Sequence, residues 1–179
     1  MDTIVLIVLV IILIILGLAS GYIAIYNRLQ KCIIRINEAE SQIDDSLRKR
    51  YDILSAMEKI INEQAHLNQN NLNEFKSNEM SNFEVDRNLT KIADLFKKIY
   101  FDYEKELDIP AYKENVIMLK QNNEMCDAAK SYYNKYTTNL NLLVKKFPTN
   151  VIAKLHGINV RSYFDNKNLN DEDIYDFKI

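Results

Sequence analysis

The amino-acid sequence predicts an all-α protein in which an N-terminal transmembrane helix is followed by an antiparallel helical bundle of three long helices and one short helix. Three observations predict it. Ile4 to Ile25 is an apolar run without a charged residue. From Tyr22 to Ile109 there is neither glycine nor proline, so nothing breaks a helix over that length. Beyond the run, apolar residues recur alternately three and four apart, the spacing that gathers them on one helical face.

The first stretch sets the organisation, with residues 1–25 read as anchor and short N-terminal flank. At about 1.5 Å of rise per residue the run spans roughly 30 Å, enough to cross a hydrocarbon core, so the lipid bilayer is the first expected partner. A secretory signal needs a positive n-region and a shorter apolar run. Here the flank is only Met1-Asp2-Thr3, and the run continues past the small residues Gly17-Leu18-Ala19 to Ile25, which favours a retained, single-pass anchor. Gly17 and Gly21 stand four apart, the small-xxx-small spacing that lets two membrane helices pack closely and allows a homo-oligomer. The general enrichment of glycine in membrane helices accounts for the pair without such a contact. Arg28, Lys31 and Arg35 follow the run, whereas the N-terminal flank has no lysine or arginine. Basic residues are retained on the cytoplasmic side, so the N-terminus is expected outside and the bundle in the cytoplasm.

The bundle is expected over residues 26–164. Its first seam runs through Tyr26, Leu29, Ile33, Ile36, Glu40, Ile43, Leu47, Arg50, Leu54, Met57, Ile61 and Gln64, so the membrane helix is expected to continue directly into a bundle helix in coiled-coil fashion. Asparagine and serine at Asn68 to Asn71 and Ser77 to Asn82 compete with helical backbone bonding and place the first reversal. A second seam follows through Val85, Leu89, Ile92, Phe96, Ile99, Tyr103 and Leu107. Asp108-Ile109-Pro110 supplies a capping carboxylate and a proline suited to a first helical turn. The third seam is Tyr112, Val116, Leu119, Asn123, Cys126, Lys130, Tyr133, Thr137, Leu140, Val144 and Phe147, ended by Pro148. Thr149 or Asn150 caps a short fourth helix through Leu155, with Gly157 as its stop. Residues 165–179 are acidic and asparagine-rich without a period and are expected to form a mobile tail. Ile174, Tyr175 and Phe177 are the tail's candidates for an interaction.

A net charge of −2 is too small to advertise a nucleic-acid surface, and no nucleic acid is expected as a partner. Cys32 and Cys126 show no metal-ligand spacing and read as reduced thiols. There is no H-E-x-x-H, no Walker-type glycine loop and no G-x-S-x-G, so no catalytic residue and no cofactor is expected. Glu63 and His66 form one E-x-x-H step, half of the ligand set of a carboxylate-bridged dimetal bundle. A metal-dependent enzyme using this step is the rival to a non-catalytic protein, but the second E-x-x-H is missing. The polar seam residues Glu40, Arg50, Asn123 and Lys130 cost stability unless they pair, in which case they fix register. The other reading is that the seam rotates and their heads reach water along their stems. The tyrosines Tyr100, Tyr103, Tyr132, Tyr133 and Tyr136 fall at helical spacing, where they pack in the core or form a binding face.

Two stretches resemble the LemA family of bacterial membrane-anchored helical proteins. One is Tyr26-Asn27-Arg28-Leu29, then Ile36-Asn37-Glu38-Ala39-Glu40-Ser41-Gln42-Ile43-Asp44 and Leu47-Arg48-Lys49-Arg50-Tyr51-Asp52-Ile53-Leu54. The other is Ala129-Lys130-Ser131-Tyr132-Tyr133-Asn134, then Phe147-Pro148-Thr149-Asn150-Val151-Ile152-Ala153, ending at Tyr163-Phe164. The chain departs from the family at Glu40, where tryptophan is usual, at Ser55-Ala56 for proline and asparagine, at Glu63-Gln64 for glycine and tyrosine, and at Lys130 for arginine. The resemblance implies a membrane-anchored, mainly antiparallel helical bundle; the chain is read as a non-catalytic scaffold or interaction module at the bacterial inner membrane, with other membrane or cytoplasmic proteins as its expected partners. It implies no established catalytic activity.

Overall fold

A computed structural model describes residues 3–72 and 80–165. The expected tail beyond Asp165, with Ile174, Tyr175 and Phe177, and the part of the expected reversal at 77–79 lie outside the described residues. Among the described residues the fold is all-α and contains no strand. The helices are α1 (Thr3–Gln64), α2 (Asn82–Asp102), α3 (Glu104–Leu107), α4 (Pro110–Lys145) and α5 (Thr149–Leu155).

The apolar run and the first bundle helix are one uninterrupted α1 of 62 residues, about 93 Å long. Its first part is exposed, whereas Leu29, Ile36, Ile43, Leu54 and Ile61 are almost wholly buried. Each of these side chains contributes about 1.5–3 kcal/mol by leaving water. Gly17 and Gly21 have no atom within 4 Å of where a Cβ would sit, so packing within this chain does not require them to be glycine. The seam drifts as an α-helix must against a seven-residue repeat: Ala39 and Ser46 are buried, while Glu40 and Gln64 face outward.

After α1 the chain folds back along the helix it has just left. The Asn62 side chain holds Gln69 by both backbone groups, accepting from its N–H at 2.7 Å and donating to its carbonyl at 2.9 Å. Glu58 accepts the Asn71 N–H at 2.7 Å, and Leu72 is buried. Ser81 then starts α2 with a capping box, its hydroxyl accepting from the Glu84 N–H while Glu84 accepts from the Ser81 N–H. Ser81 and Phe83 lie beside Glu40 and Ile43, Asp86 meets Arg50, and Lys97 and Tyr100 share a cavity with Met57. Helix α2 therefore runs in the same direction as α1, and residues 65–72 make the expected reversal. Helix α4 is antiparallel to both: Asn122 donates to the Ser46 carbonyl at 2.9 Å, Tyr112 to the Phe96 carbonyl at 3.2 Å, and Leu140 and Leu143 pack with Leu29.

Tyr103 breaks the expected second helix, leaving α3 as a separate turn that buries Leu107. Pro110 is the first residue of α4, as expected, but Ile109 occupies the capping position. The Asp108 carboxylate is engaged by Lys113 at 2.5 Å, which holds its pKa below the usual range. The Thr149 hydroxyl donates toward the Leu143 and Lys146 carbonyls at the end of α4, so it does not cap α5, whose first residue it is and whose N-cap position is held by Pro148. Gly157 ends α5 at φ 64, with Ile158 N–H on the Ala153 carbonyl and Gly157 N–H on Lys154, a Schellman closure that its missing Cβ permits.

From Ile158 the chain returns along α4 as a strap. Asn141 exchanges two hydrogen bonds with the Arg161 backbone, each 2.8 Å, and Asn134 accepts the Phe164 N–H at 2.9 Å. These two amide side chains do for the strap what a neighbouring strand would do in a sheet.

Candidate functional site

Three helices meet at one buried charge cluster. Arg50 Nη1 on α1 donates to Asp86 Oδ1 on α2 at 2.7 Å, and Lys130 Nζ on α4 donates to Asp86 Oδ2 at 2.7 Å. The side chains of Arg50, Asp86 and Lys130 are only 5%, 16% and 18% exposed. Thr90 completes the Arg50 side at 3.4 Å, Asp127 reaches Lys130 at 3.3 Å, and the Lys130 ammonium stands 5.4 Å from the Phe164 ring centroid. Of the polar seam residues, Arg50 and Lys130 thus share one carboxylate. Glu40 points outward, and Asn123 is half-buried with its Oδ1 lacking a hydrogen-bond partner among the described residues. Arg50 Nε is likewise buried and without a partner.

The cluster closes one end of an open groove. Because α2 and α4 pack on α1 more than on each other, a cavity of about 710 Å³ opens between them with Met57 beneath it. A smaller cavity of about 290 Å³, lined by Arg50, Asn123 and Lys130, adjoins it through Ala93, Asp94 and Asn123, which line both. Phe101, Val116 and Ile117 present exposed apolar surface to the groove, and Tyr100 stacks on Tyr112 at 5.3 Å with an interplanar angle of 8°. Burial pushes the Tyr112 hydroxyl up to about 12. Lys97, Lys113 and Lys120 stand on the rim; Lys113 is paired with Asp108, whereas Lys97 and Lys120 have no carboxylate within 4.0 Å among the described residues.

The Glu63/His66 step does not form a helix-face ligand pair. Helix α1 ends at Gln64, and His66 lies beyond it at φ 52, the left-handed residue that terminates the helix. Glu63 instead faces Lys59 at 3.9 Å. Among the described residues no three His, Cys, Asp or Glu side chains come together as a metal site would require. Cys32 and Cys126 are far apart in the fold, and burial raises the pKa of both thiols.

A model of the LemA family matches residues 39–175, most of the chain. The chain belongs to the LemA family. The match begins at Ala39, in the buried seam of α1, and takes in the charge cluster, the groove and the strap. No curated protein and no solved structure matches the chain. In this LemA-family fold, the residue that sequence reasoning passed over is Asp86. It directly follows the seam residue Val85, and that adjacency of a carboxylate to a core position was the available signal.

Proposed function

We propose that this protein is a non-catalytic scaffold or interaction module, held by α1 in a bacterial inner membrane, and that the groove between α2 and α4 receives an amphipathic segment of a partner protein carrying carboxylates. The open groove carries the proposal: an apolar trough rimmed by Lys97 and Lys120 suits a segment with apolar side chains on one face and acidic ones beside them. Membership of the LemA family supports the non-catalytic reading. The anchor rests on the start of α1, which is long and apolar enough to cross a membrane, with mean hydropathy 3.3 and no buried residue in that window. Arg28, Lys31 and Arg35 favour the N-terminus outside and the bundle in the cytoplasm.

A photocrosslinking residue at Ile117 in the full chain, used in native membranes, tests the groove. The expected result is a discrete partner adduct that is lost when Lys97→Glu and Lys120→Glu reverse the rim charge, and that is absent when the probe sits at exposed Lys49 on α1. The same adduct from Lys49, indifference to charge reversal, or an adduct of two copies of this chain would contradict it.

A further inference from the structure

The end of the bundle nearest the apolar run carries a surface that the groove does not explain. Helix α5 packs back onto the run itself: the Tyr22 hydroxyl and His156 Nε2 are 2.5 Å apart, the Tyr26 and His156 rings are 4.6 Å apart, and Ile152 and Ala153 pack with Ile25, Tyr26 and Leu29. Counted from Ile4, Tyr22 lies about 27 Å along α1, close to the full thickness of a hydrocarbon core of about 30 Å. With the run taken as the anchor, α5 would stand at headgroup height.

What it presents there is apolar and basic. Phe147 and Leu155 are 76% and 71% exposed, and Val151 stands one turn before Leu155 on the same face. Arg28, Lys31 and Lys146 line a cavity of about 650 Å³ between α1 and the end of α4, with Lys145 and Lys154 close in sequence. None of these five cations has a carboxylate within 4.0 Å among the described residues. From Ala128 to Phe164 the sequence holds no aspartate or glutamate, although the whole chain has a net charge of −2. Among the described residues, α5, the end of α4 and the stretch of α1 from Tyr22 to Asn37 that faces them thus carry no negative side chain.

We infer that this end is a membrane-docking surface for anionic phospholipid: Phe147, Val151 and Leu155 enter the interface, and the cavity of Arg28, Lys31 and Lys146 takes a lipid phosphate. Exposed apolar side chains on a short helix flanked by lysines are what an interfacial element requires, and each basic residue near an anionic surface strengthens binding about fivefold. The inference rests on the reading of α1 as an anchor. It adds that the bundle lies down on the bilayer through a second contact rather than swinging from a single helix.

The sequence contains no tryptophan, so one introduced residue reports alone. The full chain carrying Leu155→Trp, or separately Val151→Trp, is reconstituted in phosphatidylcholine vesicles with and without phosphatidylglycerol, with Phe101→Trp at the far end of the bundle as reference. Flotation with the vesicles checks the anchor, and emission with quenching by brominated acyl chains checks the docking. The expected result is blue-shifted, quenched emission at positions 155 and 151 in anionic vesicles, weaker in neutral ones, and none at 101. Lys146→Gln and Lys154→Gln should each lower the docked-to-undocked ratio about fivefold without changing flotation. Vesicles that float with Leu155→Trp as exposed as Phe101→Trp would overturn the docking and leave the anchor standing. Quenching indifferent to phosphatidylglycerol and to both lysine changes would overturn the headgroup contact, and failure to float would overturn anchor and docking together.

Discussion

Arg50 and Asp86 meet 2.7 Å apart in the middle of the bundle, and the other oxygen of the same carboxylate is taken by Lys130 at the same distance. One buried anion thus ties α1, α2 and α4, and it serves two cations. Removing one partner of such a cluster leaves uncompensated charge out of water, while replacing the whole cluster by apolar residues of similar size removes the desolvation cost as well. Asp86→Ala should therefore destabilise a fragment of residues 22–165 by about 3–5 kcal/mol in urea unfolding. The triple change Arg50→Met, Asp86→Leu, Lys130→Met should stay within about 1–2 kcal/mol of the parent or exceed it. Equal losses from both would mean that the cluster's charges are not what the site depends on.

Tyr112 makes the stability sensitive to alkali. Its pKa in the fold, about 12, lies above the ordinary 10.0 because the ring and hydroxyl are buried. A raised pKa means a contribution present in full below the unfolded value and lost as pH climbs toward the folded one, on the order of 2–3 kcal/mol over that window. Tyr112→Phe should cost about 1 kcal/mol at neutral pH, through the lost bond to the Phe96 carbonyl, and should narrow or reverse the gap by about pH 11. Urea midpoints of parent and variant at both pH values measure this. Parallel pH profiles would show that Tyr112 is not protected from ionisation.

The contact of α5 with the apolar run sets where the bundle can be cut. A fragment beginning at Tyr22 retains the Tyr22–His156 bond, whereas one beginning at Tyr26 loses it together with Ile25. Both should be helical and melt cooperatively by circular dichroism. The shorter one should be less stable by about 1 kcal/mol, with faster hydrogen exchange confined to α5. Identical exchange in α5 would show that it does not depend on the run.

Much of the architecture could be read from spacing, because burial along a helix follows its period. Leu29, Ile36, Ile43, Leu54, Leu89, Phe96, Cys126 and Leu140 are seam residues of the sequence and buried residues of the fold. The sites where the reading and the fold part have local causes. Glu40 turns outward because an α-helix advances past a strict heptad, so Ala39 takes the inward position. His66 leaves the helix because the chain needs a left-handed residue to turn back along α1. The direction of α2 was hidden because asparagine-rich spacing marks a turn but does not say how far the chain travels before the next helix. The strap was hidden because Asn134 and Asn141 act on backbone groups twenty to thirty residues away, and such pairing leaves no period. The groove depends on α2 and α4 packing more on α1 than on each other, which no pattern within either of them records.

The side of the membrane on which the bundle lies decides which partners and which lipids it can meet. Ser55 is exposed on α1 within the bundle, and the two natural thiols, Cys32 and Cys126, are buried with raised pKa values, so they give little background to a thiol reagent. Ser55→Cys in the full chain, treated in intact spheroplasts with a membrane-impermeant maleimide, should remain unlabelled until the membrane is opened and should then label fully in the membrane fraction. Labelling of Cys at position 55 in intact spheroplasts would place the bundle outside, and its recovery in the soluble fraction would remove the anchor.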